Sequence, residues 1–195
     1  FRSLTGWVNA RDAGRQPAAM YAMGSLLLAK DDLAGAVKMA EDGLSKYPQS
    51  LPVQTLSLNT ITTLLDKNRV EDAERLISKY PGTSPGLVFQ QGALAFRKGD
   101  YPLAQSLFRE AARRASEKTA ESALFNENLA ALNANDAAGA AALVKEAAGS
   151  AQLREHILFE QAHYAAKRMN PQAPELLASF VALATDPALK TQARL

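Results

Sequence analysis

GLVFQQGALAFRKGDYPLAQSLFREAARRA, residues 86–115, holds two amphipathic periods separated by a single turn. Leu87, Val88, Gln91/Gly92, Leu94, Ala95 and Phe96 form one amphipathic helix, and Leu103, Ala104, Leu107, Phe108 and Ala111 recur at i, i+3 and i+4 to make a second. Between them Lys98-Gly99-Asp100 stops one helix and starts the next. Gly99 tolerates the left-handed backbone that a helix C-terminus favours, Asp100 offers an acceptor to the free N–H groups that follow, and Pro102 fits a first turn. The stretch is an antiparallel helix pair. Gly92 and Ala104 leave little bulk between the backbones, so the axes can approach toward the short end of the usual ~8–10 Å.

Looser copies lie on both sides. Residues 17–48 repeat the scheme with Gly24 in the column of Gly92, Lys30-Asp31-Asp32 in the turn, and Ala36, Ala40 and Gly43 in the second helix. Residues 54–81 put Ile61 in the small-residue column and run about one turn shorter before Tyr80-Pro81, residues 121–148 put Asn128 there, and residues 153–184 turn at Met169-Asn170-Pro171. The second-helix alanines Ala36, Ala73, Ala104 and Ala140 are spaced by 37, 31 and 36 residues, which is a repeat period and not a chance of composition. Residues 82–86 give the longest loop signal, and any bend in the array is expected there. Partial units are expected at residues 1–15, around Leu4, Trp7 and Val8, and at 188–195. The start at Phe1 reads as an excerpt of a longer protein, and the alanine-rich composition suggests a bacterial one.

The column Gly92, Ala104, Phe108, Ala111, with its turn, resembles the tetratricopeptide repeat, although Val88 and Ala95 stand where that family has Trp and Tyr. The resemblance implies an all-α fold, an α-solenoid of stacked antiparallel helix pairs with about five repeats over 1–195 and partial helices at both ends. It also implies that the first helices line a concave groove, with the residue three before the small column pointing into it. That column reads Tyr21, Leu58, Phe89, Phe125 and Phe159, and the next reads Ala22, Asn59, Gln90, Asn126 and Glu160; His163 lies one turn beyond Phe159. Apolar anchors bordered by amides suit an extended or helical peptide, because rings supply buried area and amides satisfy a backbone. The same rings can pack between neighbouring helices, and long side chains can do both. The family's clamp of Lys and Asn for chaperone C-termini is absent, since the matching columns hold Tyr21 and Ser25, Leu58 and Thr62, Phe89 and Ala93.

Composition narrows the function further. Lys and Arg number 6, 6, 5 and 5 in successive quarters against 5, 5, 6 and 4 acids, so no clustered positive field exists to attract nucleic acid or anionic lipid. No apolar run approaches the ~20 residues of a membrane span, so no membrane insertion is expected. Without cysteine there is neither a disulfide framework nor a thiolate site, which fits cytosol and periplasm equally. No phosphate loop or nucleophile–base arrangement can be assembled, and no cofactor is implied. His156, Glu160 and His163 share a helix face, but the two histidines stand about 10 Å apart along the axis, too far to ligate one ion at ~2.1 Å each. No catalytic or metal site is therefore expected. The reading is a non-catalytic interaction scaffold that binds a protein or peptide in its groove. Its alternative is a structural spacer or oligomerisation segment between flanking domains, as in an export or assembly machine; a homodimer closing groove on groove would use the same rings.

Overall fold

The computed structural model describes residues 15–192, and the partial helix expected at 1–15 lies essentially outside them. Eleven α-helices and no strand occur among the described residues. They are α1 (Gln16–Ala29), α2 (Leu33–Lys46), α3 (Leu51–Asp66), α4 (Val70–Lys79), α5 (Pro85–Arg97), α6 (Tyr101–Arg114), α7 (Glu117–Asn133), α8 (Ala137–Glu146), α9 (Ala151–Lys167), α10 (Ala173–Leu183) and α11 (Pro187–Gln192), with a 3-10 turn at Ala147–Gly149.

One turn design recurs five times. Asp31, Asn68, Gly99, Asn135 and Met169 all have positive φ, between 54° and 79°, one residue beyond the cap of a first helix. Each donates its N–H to a carbonyl three residues back, and the N–H groups of Asp32, Arg69, Asp136 and Asn170 reach five residues back, to Leu27, Leu64, Ala131 and Ala165. These are the paired bonds that close a helix through a left-handed residue. The next helix then opens on a carboxylate in three cases: Asp32, Asp100 and Asp136 accept from the N–H of Gly35, Leu103 and Gly139 at 2.9, 3.2 and 2.9 Å.

The chain divides into two compact units, one through Gly99 and one from Asp100. In the first, α1 packs on α2, α3 on α4, the first helices α1, α3 and α5 touch in series, and α2 touches α4. Its core runs from Val37, Ala40 and Leu44 through Val53, Leu56, Ile61 and Leu64 to Ala73, Leu76 and Leu87. Gly24 leaves room for Leu56, whose Cδ1 a Cβ at that position would approach to 2.4 Å and force to shift. In the second unit α6 packs on α7, α7 on α8, α9 on α10, and α7 on α9. Gly92 and the second-helix alanines Ala36, Ala73, Ala104 and Ala140 are all buried, as a close-packed layer demands.

Several details differ from the sequence expectation. Helices α3, α7 and α9 begin at Leu51, Glu117 and Ala151, a few residues earlier than periodicity placed them; Pro52 is accepted in the first turn of α3, and Ser150 caps α9 by accepting from the Leu153 N–H at 3.3 Å. Ile61 does not loosen its pair but is fully buried in the core. Asn128 fills the small-residue column by bonding: its Oδ1 accepts from Gln161 Nε2 at 2.8 Å, and the same amide donates to the Ala140 carbonyl at 2.7 Å. On α10 only Ala173 and Phe180 are buried, and Leu183 is 44% exposed.

Candidate functional site

In the first unit the column of interest sits on adjacent helices α1, α3 and α5. Tyr21 is exposed, while Leu58 and Phe89 are half-buried. Leu58 packs on the core and lies over Gly86, where a Cβ would meet it at 2.9 Å. Asn59 is exposed on α3. Gln90 is only 8% exposed and donates from Nε2 to Thr62 Oγ1 at 2.8 Å, so its amide ties α5 to α3. Sequence periodicity placed Gln90 beside Asn59 but carried no sign that a hydroxyl would stand within its reach.

The second unit places Phe125 on α7 and Phe159 on α9, both half-buried. Phe125 packs on the cluster of Leu143, Ala147, Leu153 and Ile157, and the His156 imidazole meets its ring edge-on at 6.5 Å and 89°. His156 Nδ1 donates to the Gln152 carbonyl at 2.8 Å, which fixes the proton on that nitrogen. Phe159 packs edge-on against the buried Phe180 at 5.4 Å and stacks with exposed His163 at 6.0 Å and 13°. Asn126 donates back to the Ser122 carbonyl at 2.8 Å, and Glu160 is half-buried. Each ring thus has one part in the core and another outside it. The histidines that the sequence aligned on one helix face accompany separate rings, and among the described residues no group of three or more His, Asp and Glu could hold a metal ion.

Three polar arrangements escaped sequence reasoning. Glu127 is fully buried on α7 and accepts from Arg109 Nε at 2.7 Å. Burial pushes its carboxyl above the ordinary range, and the Arg109 hydrogen bond opposes that rise without cancelling it. Glu155, buried on α9, accepts through Oε1 from the N–H groups of Thr185 and Asp186, both at 2.8 Å, and through Oε2 from the Thr185 hydroxyl at 2.9 Å. The Asp186 N–H above all holds this carboxyl below the ordinary range. The third is a cleft of about 560 Å³ between α8 and α10, floored by α9. Its wall is alanine at Ala137, Ala138 and Ala141, and on its floor the Arg168 guanidinium lies 4.5 Å from the Tyr164 ring centre and donates to Asn135 Oδ1 at 2.5 Å. The only signal in the sequence for this cleft is the bulk missing from α8.

The solved structure of YrrB, a TPR protein with an unusual peptide-binding site, superposes on 98% of this chain and 97% of its own, with a TM-score of 0.61 at 15% identity. The fold is that of a tetratricopeptide-repeat protein. No family model matches the chain, and no curated protein does. A tetratricopeptide fold at so low an identity follows from what the repeat needs: a left-handed turn, small residues at the helix contacts and apolar residues elsewhere, with freedom of identity in most columns. Among the described residues no helix is long and apolar enough to cross a membrane.

Proposed function

We propose that this chain is a non-catalytic scaffold that binds a polypeptide segment along the outward faces of its first helices. The observation that carries the reading is the half-buried aromatic column of Phe89, Phe125 and Phe159. Phe125 and Phe159 are already ordered by packing on apolar clusters of the second unit, so a partner that covers their remaining surface gains buried area at little cost in side-chain entropy. Within the first unit Tyr21, Leu58 and Asn59 continue the face of Phe89 on α1 and α3, and within the second Asn126, Glu160 and His163 border that of Phe125 and Phe159 on α7 and α9. The peptide-binding site of YrrB supports the class of partner by analogy of fold.

Affinity capture with the 195-residue chain as bait, followed by titration calorimetry with the captured partner, tests the reading. Phe125→Ala is expected to weaken binding roughly 30-fold, the equivalent of ~2 kcal/mol for an aromatic anchor. It should lower stability by less than the ~3–5 kcal/mol of a fully buried Phe. Unchanged affinity in that variant would remove the face from consideration, and severe melting would assign the ring to the core alone.

A further inference from the structure

The second helices leave a strip of each first helix uncovered. Counted from the column of Gly24, Ile61, Gly92, Asn128 and Ala162, its positions lie six and three residues before and one and four after, which at ~100° per residue confines them to a band ~80° wide. On α1, α3 and α5 of the first unit and α7 and α9 of the second, every one of these positions except Leu65 is exposed or half-buried. None of the twenty is Asp, Glu, Lys or Arg, in a chain where 22% of residues are charged. Random placement would put about four charges there, and solvent-facing positions carry more than their share. The charges begin just outside the band, with Asp66, Arg97 and Lys167 exposed and Glu160 half-buried.

We propose that a segment held by the strip of either unit is itself uncharged: a run of apolar and small polar residues without Asp, Glu, Lys or Arg, gripped by burial against the rings and not by ion pairing. The inference rests on the peptide-binding reading above and adds the chemistry of the partner. A charged side chain laid on the strip would lose hydration and meet no counter-charge within the band itself, whereas an apolar one removes the exposed parts of Phe89 in the first unit, or of Phe125 and Phe159 in the second, from water. Binding of this kind changes little with ionic strength, since screening acts on charges that the strip lacks.

Three randomised peptide pools of equal length separate the outcomes: one drawn from Ala, Leu, Phe, Ser and Gln, and two in which half of the Ser and Gln are replaced by Glu or by Lys. They are passed over the immobilised 195-residue chain at about 50 and 500 mM NaCl, and retained peptides are read by mass spectrometry. The neutral pool is expected to be enriched at least ~10-fold over both charged pools, with less than a ~2-fold change between the salts. Ser122→Lys, an exposed position on α7, should reduce that retention several-fold and admit the Glu pool in a salt-dependent way. Preferential, salt-sensitive retention of either charged pool overturns the inference and leaves the peptide-binding reading standing. If no pool is retained and the chain sediments as a dimer that Ser122→Lys dissociates, the occupant is a second copy and the inference fails. Retention of none by a monomeric chain defeats the peptide-binding reading and the inference with it.

Discussion

Met169 is 90% exposed and holds φ at 54°, a conformation that the other four first-helix turns assign to Asp, Asn or Gly. An L-residue with a long side chain pays ~1–2 kcal/mol there, and an exposed side chain recovers almost none of it by packing. Met169→Gly removes that strain and adds some freedom to the unfolded chain, so a net stabilisation of ~0.5–1 kcal/mol is expected, visible as a higher thermal midpoint. No change would mean that the thioether makes a contact offsetting its backbone strain. The same scale explains Gln90 and Asn128. Both are amides buried among apolar neighbours, and each is accommodated because one hydroxyl or amide on the adjacent first helix stands at bonding distance.

Among the elements, α6 shows how close packing is enforced. Ala104, Phe108 and Ala111 are its buried residues, and Ala104 has no exposed surface. Ala104→Leu must force three further carbons into a filled layer, so a loss of ~1–3 kcal/mol is expected by chemical denaturation. Stability equal to the parent chain would show that the α6 contact has slack. The short helix α11 depends on a different device, the Glu155 carboxylate that accepts three hydrogen bonds from Thr185 and Asp186. Because folding lowers the Glu155 pKa, the stability it contributes is present above the ordinary carboxylate range near ~4.3 and is lost as pH falls through its depressed folded value. Hydrogen exchange at the Thr185 and Asp186 amides, taken relative to the intrinsic rate at the same pH, should therefore be slow at neutral pH and speed up in acid. Glu155→Gln should make it fast at both, with a loss of ~1–3 kcal/mol at neutral pH. Slow exchange in that variant would show that other contacts hold α11.

At the scale of the whole molecule, the sequence by itself determined the helices, their turns and their repetition. Apolar positions recurring at 3.6, a left-handed residue before a capping carboxylate, and alanines at 31 to 37 residues leave no other regular fold open. The first two are local properties, readable because each rests on residues within about one turn of one another, and the third is a recurrence read directly along the chain. The helix starts were legible less sharply, since α3, α7 and α9 open a few residues before the stretch that the apolar columns mark. Only the tertiary structure decided how each outward residue is used. Periodicity reports which face of a helix is apolar, but the depth to which a neighbouring helix covers that face depends on side chains about twenty or more residues away. Thr62 draws Gln90 into the layer, Phe180 takes one side of Phe159, and the alanines of α8 leave open a cleft that bulkier residues would fill. The division into compact units is likewise set by the sum of contacts. It falls between Gly99 and Asp100, within the turn of the most regular repeat and not at the loop of residues 82–86, because the density of packing on either side of a bond is a property of the folded chain and leaves no mark on the residues that flank it.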